Sequence, residues 1–197
     1  MNIKPIETVY NGYRFRSRLE ARWAVFFDRA GIEYTYEPDG FDLGEFGWYL
    51  PDFYLPWFKC YLEIKPKGYI GIDEAKNKLW KLFEQKSDCC CMICLGDPVD
   101  NNMTVLCQEI SDDGGGLDEF SAQFLEGVWW SDETGQYGTT KHWISLVLDT
   151  HKSRKFFDYN WNILPLEQSF MMWFYRSDFD YAKVAARQSR FEHGEYR

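Results

Sequence analysis

Residues 51–68 read PDFYLPWFKCYLEIKPKG, two apolar runs on either side of a tight turn. The runs 48–55 and 59–65 predict an antiparallel hairpin, and a hairpin fixes which side chains share a face, because successive strand residues point to opposite sides. With Trp57-Phe58 as a two-residue loop, Leu55 faces Cys60, Phe53 faces Leu62 and Asp52 faces Glu63. With Pro56 in the second turn position, the two acids become diagonal neighbours on one face. Only an odd-length loop separates them. Lys65, two residues beyond Glu63, projects from the same face.

Two carboxylates placed this way repel, and like charges opposed across strands destabilise a sheet. Protonation of one acid, the neighbouring lysine or a bound cation would relieve that repulsion. The pattern suits a hard divalent ion, which takes oxygen ligands and keeps several waters. The main-chain carbonyl of Ile64 lies between the Glu63 and Lys65 side chains and is a further candidate ligand. Lys65 would then stand where it can help activate a water or neutralise a phosphate. Glu20 joins the group through its helix. Its offsets to Trp23, Ala24 and Phe27 are helical, so it leans toward the sheet side. Each residue has a plainer role: Asp52, Glu63 and Lys65 as a surface ion-pair group, Glu20 as part of a helix cap.

The surrounding chain supplies context. Residues 17–30, SRLEARWAVFFDRA, predict a helix with Leu19, Trp23, Phe26, Phe27 and Ala30 on the core face. Ser17 and Glu20 form a capping box, and Gly31 is a C-terminal stop. Residues 32–38 predict a strand, and Pro51 marks an irregularity or an exposed edge in the strand over 48–55. A second helix is expected over 72–86 with Leu79, Leu82 and Phe83 inward, and a short buried strand, CCCMICLG, over 89–96. Beyond Gly96 the pattern loosens. DDGGGLDEF at 112–120 reads as a turning link, 143–149 as a strand, and 178–191 as a final helix that Ser177 would cap.

The order helix, three strands, helix, strand, carrying Pro51-Asp52 and Glu63-Ile64-Lys65, resembles the PD-(D/E)XK nuclease superfamily over roughly residues 13–96. The segments YRFRSRLEARWAVFFDRAGIEYTYEP and YLPDFYLP also resemble small nuclease-like proteins of phages and mobile elements. The resemblance implies an α/β fold with a restriction-endonuclease-like core, a mixed central sheet flanked by helices, over residues 1–100. Residues 101–197 would be a C-terminal α+β elaboration or appended lobe. It further implies magnesium, with manganese as a substitute, held by Asp52 and Glu63. Lys65 would be the catalytic lysine, and Glu20 the acid that the superfamily often carries on its first helix.

Composition narrows the alternatives. The chain has 22 basic and 31 acidic residues, net −9, which argues against coating nucleic acid through bulk charge and leaves room for a local basic groove. Arg16 and Arg18, near the start of the first helix, and Lys67, after the motif strand, are the candidate DNA contacts; a solvated charged face is the plainer alternative. No apolar run approaches the roughly 20 residues that cross a bilayer, and the N-terminus lacks the apolar stretch of a secretion signal. A cytoplasmic protein is expected. Cys91 and Cys94 form a lone CxxC without a matching ligand pair, so buried thiols in a reducing compartment are expected rather than zinc. Trp129-Trp130 and MMWFYR at 171–176 are candidates for base stacking, with core packing as the commoner use of aromatics. His142, His151 and His193 read as surface or packing residues, and GGG at 114–116 lacks the features of a phosphate loop.

The expectation is therefore a magnesium-dependent DNase, acting alone or as a homodimer. The alternative is a catalytically inactive module whose acidic, aromatic C-terminal region binds a host or phage protein or imitates DNA.

Overall fold

The computed structural model describes residues 5–86, 88–100, 102–108, 117–131, 141–149, 154–157, 171–177 and 179–191. The chain opens with a hairpin of β1 (Thr8–Tyr10) and β2 (Tyr13–Phe15). Its turn is Asn11-Gly12, both at positive φ (47° and 82°), the combination whose twist matches a two-residue hairpin.

Helix α1 (Arg18–Ala30) follows with the expected limits. The Ser17 Oγ accepts a hydrogen bond from the Glu20 N–H at 3.2 Å, which caps the first turn. Gly31 closes the last turn in the left-handed region, φ 71°, where a side chain would be strained. Trp23, Phe26 and Phe27 are buried against the sheet. Truncating such an aromatic to alanine costs about 3–5 kcal/mol.

Five short strands lead to the next helix. They are β3 (Thr35–Tyr36), β4 (Phe41–Asp42), β5 (Trp48–Tyr49), β6 (Phe53–Leu55) and β7 (Cys60–Lys65). The strand expected over 32–38 shrinks to the two residues of β3. The single strand expected over 48–55 is divided at Pro51, which has no N–H to give a ladder. Trp48–Tyr49 pairs with Phe41–Asp42 in a side ribbon, while Phe53–Leu55 joins the main sheet. The β6–β7 register is Phe53↔Leu62, Tyr54↔Tyr61 and Leu55↔Cys60, as the first of the two loop arrangements predicts. The connection differs from a two-residue turn. Pro56–Phe58 forms one turn of 3-10 helix, and Lys59, in the left-handed region, donates its N–H to the Pro56 carbonyl at 3.2 Å.

Helix α2 (Ile72–Gln85) then crosses over to β8 (Cys90–Leu95), which lies parallel to β7. The remaining elements are β9 (Met103–Gln108), β10 (Leu117–Ser131), β11 (Lys141–Asp149), β12 (Arg154–Phe157), β13 (Met171–Ser177) and α3 (Asp180–Gln188). Among the described residues the main sheet has 9 strands in the order β12-β11-β10-β9-β8-β7-β6-β3, with β13 also paired to β10. β9 pairs with β8, so strands on both sides of residue 100 lie in one sheet.

The molecule is thus a mixed α/β protein with one core on each sheet face. On one face α1 packs on Leu62, Ile64, Met92 and Val105, with Phe179, Ala182 and Ala186 of the α3 segment in the same cluster. On the other, Leu79, Leu82 and Phe83 of α2 pack on Tyr61, Cys91, Ile93 and Leu106.

Two local expectations are corrected. Leu117–Phe120 belong to β10 rather than to a turning link, and 112–116 lie outside the described residues. Ser177 ends β13 and does not cap α3, whose N-cap is Phe179 at φ 63° with no side-chain hydrogen bond. His151, His193 and the glycines 114–116 also lie outside the described residues, while Trp129-Trp130 and 171–176 fall on β10 and β13. Among the described residues no helix is long and apolar enough to cross a membrane.

Candidate active site

Strand β7 separates greasy from polar chemistry by alternation alone. Cys60, Leu62 and Ile64 enter the core under α1, whereas Tyr61, Glu63 and Lys65 take the other face. β6 stops at Phe53, so the N–H of Ile64 has no strand partner on that side. Asp52, the residue just before β6, supplies one: its Oδ2 accepts from Ile64 N–H at 2.7 Å. Its own carbonyl accepts the Glu37 N–H at 2.9 Å, beside β3. The acid is therefore held at both its side chain and its backbone.

Glu63 stands beside it. Its Oε2 accepts the Tyr49 phenol at 2.6 Å, and the Lys65 ammonium bonds its Oε1. The Lys65 Nζ also lies 5.5 Å from the centre of the Tyr69 ring, within cation–π range. Asp52 and Glu63 are only 7% and 6% exposed, so water screens neither charge well.

The electrostatics follow from that burial. Desolvation, and then the charges of Glu63 and Glu20, hold the Asp52 carboxyl well above the ordinary carboxylate range. Lys65 and the Ile64 N–H pull the other way and do not win. Burial lowers the Lys65 pKa, but the Glu63 and Asp52 carboxylates outweigh it and the net shift is upward. The Tyr49 phenol is pushed well up by burial and by Glu63, so it remains a proton donor to that acid.

Glu20 is placed differently. It comes from the α1 face, and donors surround it. Oε1 accepts from Ser17 Oγ at 2.6 Å, while Oε2 accepts from Tyr36 Oη at 2.7 Å and from the Arg16 N–H at 3.1 Å. It is near enough to raise Asp52, yet the sheet lies between its helix and the face that carries Glu63. The structure thus brings Asp52, Glu63 and Lys65 together and keeps Glu20 alongside as part of the helix cap. Tyr36 and Tyr49, which orient the acids, carried no sequence signal. They sit 16 and 14 residues from their partners and look like ordinary core aromatics.

The donor set can be tested against a metal. Among the described residues no three His, Cys, Asp or Glu side chains converge on a point that could hold an ion. Asp52 and Glu63 nevertheless fit a hard cation. They are two buried oxygen donors of like charge, with one ammonium group against them. The Ile64 amide bonded to Asp52 ties the candidate backbone ligand to this pair. Any ion on Glu63 would compete with Lys65 for Oε1. The CxxC does not fit one. Cys91 packs in the α2-side core and Cys94 in the α1-side core, so the sheet itself divides them. Burial raises both thiols well above their usual range, which leaves them protonated and inert.

The candidate DNA contacts lie at the margins. The Arg16 side chain is ion-paired with Glu37. Lys67 is exposed and 3.8 Å from Asp100. Arg18 lines a cleft between α1 and the end of α3. No family model, curated protein or solved structure matches this chain.

Proposed function

We propose that the protein is a metal-dependent nuclease that hydrolyses phosphodiester bonds in DNA, built on a restriction-endonuclease-like core. The observation that carries this reading is the buried Asp52–Glu63–Lys65 group at the end of β7. A structural ion pair would balance its charges. Here two buried carboxyl groups share one ammonium, and burial first, then the charges of Glu63 and Glu20, hold Asp52 above its ordinary pKa. Such unrelieved charge is typical of sites where a ligand completes the balance.

Asp52 and Glu63 would hold Mg²⁺ or Mn²⁺, with the Ile64 carbonyl as a third oxygen. The ion would supply Lewis-acid stabilisation of the charge that develops on the phosphoryl oxygens. The chain's own residues do the rest. Tyr49 fixes the Glu63 carboxylate, and the Ile64 amide fixes Asp52, so neither acid has to reorganise during reaction. Released from Glu63, the Lys65 ammonium stabilises the pentacoordinate phosphorus or steers the attacking water. The water oxygen bonds phosphorus as it passes a proton to solvent, and the P–O bond to the departing sugar oxygen breaks on the opposite side, that oxygen taking a proton from solvent.

Asp52→Ala should abolish Mg²⁺- or Mn²⁺-dependent cleavage of linear, circular, nicked, branched or single-stranded DNA while the variant remains folded by circular dichroism. Full cleavage by that variant would remove the proposal.

A second reading is a nuclease-fold module that binds a protein partner and no longer cleaves. It is favoured by one observation: both Glu63 oxygens already have donors. A Mn²⁺-dependent rise in Tm that disappears in Glu63→Ala supports the enzyme. No rise in the wild-type chain supports the module.

A further inference from the structure

The chain's acidity makes any concentration of positive charge informative. One such place is a cleft of about 720 Å³ between α1 and the C-terminal end of α3, lined by Arg18, Arg22, Arg187 and Arg190 together with Gln188 and Phe191. Four of the chain's 22 basic residues therefore meet at one opening, although acidic residues outnumber basic ones overall. Arg18 and Arg22 are one helical turn apart and share a face of α1. Arg187 ends α3 and Arg190 follows it, both exposed. α1 and α3 are packed together through Phe26 and Phe179, whose rings lie 6.2 Å apart, so the two arginine pairs are held at a fixed spacing.

Two carboxylates among the described residues stand behind the cleft. Arg22 Nη1 bonds Asp97 Oδ2 at 3.2 Å. Arg187 is 4.0 Å from Asp100, over half exposed, which makes for a weak pair. None of the lining residues among those described is acidic. The Arg22 Nε is buried and has no hydrogen-bond partner among the described residues. A buried guanidinium N–H left unpaired is costly, and an anionic oxygen is the group that best satisfies it.

The cleft also has a fixed relation to the acid group. Gly96 donates its N–H to the Lys65 carbonyl at 2.8 Å and accepts the Trp23 indole N–H at 2.9 Å. Asp97, the next residue, holds Arg22. The basic cleft therefore begins beside the strand end that carries Lys65.

We propose that this α1–α3 cleft grips the phosphate backbone of DNA, with Arg18, Arg22, Arg187 and Arg190 as phosphate-binding residues. This rests on the nuclease reading for its substrate and extends the candidate contact at Arg18 to α3, which the sequence left without a role. The guanidinium fork matches phosphate geometry, and backbone gripping by arginine carries no base sequence. The site positions a strand near the acids and does not choose where it is cut.

The test measures binding apart from cleavage. The full chain in EDTA, which removes catalytic metal, is titrated with a short fluorescent duplex over a range of salt. The Arg187→Ala/Arg190→Ala variant is expected to bind more weakly at about 0.1 M salt and to lower the slope of log Kobs against log[salt] by about two, about one per phosphate contact. Both side chains are exposed, so Tm should not change. Arg187→Lys/Arg190→Lys should restore most of the slope, since the charge returns. An unaltered slope in the alanine variant overturns the proposal. So does tight binding of inorganic phosphate, seen as a rise in Tm, without binding of duplex. The outcomes separate from those of the nuclease reading. A wild type that binds through these arginines but never cleaves sinks the nuclease and keeps the cleft. A wild type that cleaves while the alanine variant binds normally does the reverse.

Discussion

Two tyrosine–carboxylate pairs sit on opposite faces of the sheet, and they differ in what surrounds them. Glu20 with Tyr36 belongs to the α1 face, Glu63 with Tyr49 to the α2 face. In both, a buried carboxylate accepts a phenol at about the same distance. Glu20 collects two more donors, a hydroxyl and a backbone amide. Glu63 has a single ammonium and faces Asp52. A carboxylate surrounded by donors is at rest and holds a helix end in place. A carboxylate pressed against another is poised to receive something positive. Burial is nearly the same in both cases; the neighbours differ in sign.

That contrast can be broken most sharply at Glu20. Glu20→Ala takes the acceptor from the Tyr36 phenol and the Ser17 hydroxyl and leaves the Arg16 amide with Tyr36 Oη as its acceptor, at a cost of about 1–3 kcal/mol. For a chain of this size that lowers Tm by several degrees, about 2–4 °C per kcal/mol. Calorimetry checks it. An unchanged Tm together with lost cleavage would move Glu20 from the cap to the chemistry and undo the contrast.

A smaller effect separates the two phenols. Tyr36→Phe should lower stability by about 1 kcal/mol and leave the Mn²⁺-induced shift in Tm intact. Tyr49→Phe should instead weaken metal affinity or cleavage, by about 10- to 100-fold, the range for groups that orient ligands. If the two variants behave alike, the faces are not functionally distinct.

The smallest effect lies in pH dependence. Burial and Glu63 raise Asp52, so the folded protein keeps that proton after the unfolded chain has lost it. The group's contribution to stability is complete below about pH 4, the unfolded value, and drains away as pH rises through the folded one. Asp52→Asn should flatten that decline in metal-free protein. Tm measured from about pH 4 upward for both chains checks it, and parallel profiles would mean that Asp52 is not strained.

How far the sequence foretold this arrangement depends on the range of the interaction. Helices α1 and α2 were legible because their period and caps are local: Ser17, Glu20 and Gly31 lie within the helix or beside it. The pairing of Phe53 with Leu62 was legible because a hairpin's register follows from its own strands. Asn11-Gly12 is a local hairpin signal of the same kind. β9 was not legible for a different reason. Met103, Val105 and Leu106 are all buried between the two cores, so the strand lacks the polar alternation that marks an exposed one. The partition of 48–55 between two ribbons, the pairing of Tyr49 with Glu63 and the meeting of α1 with α3 depend on contacts far apart in sequence. Periodicity carries no record of them.

Gly96 ties these parts together, and its backbone gives that tie a particular fragility. It adopts φ 87°, and a Cβ placed on it would come within 2.5 Å of the Asp100 carboxylate. One methyl group there would disturb the anchors of the motif strand and of the first helix at once. The position acts as a fulcrum, with the lysine-bearing strand on one arm and the arginine-bearing helix on the other. Alterations at the far ends of either arm are free to drift, but the pivot itself has no spare atom to give.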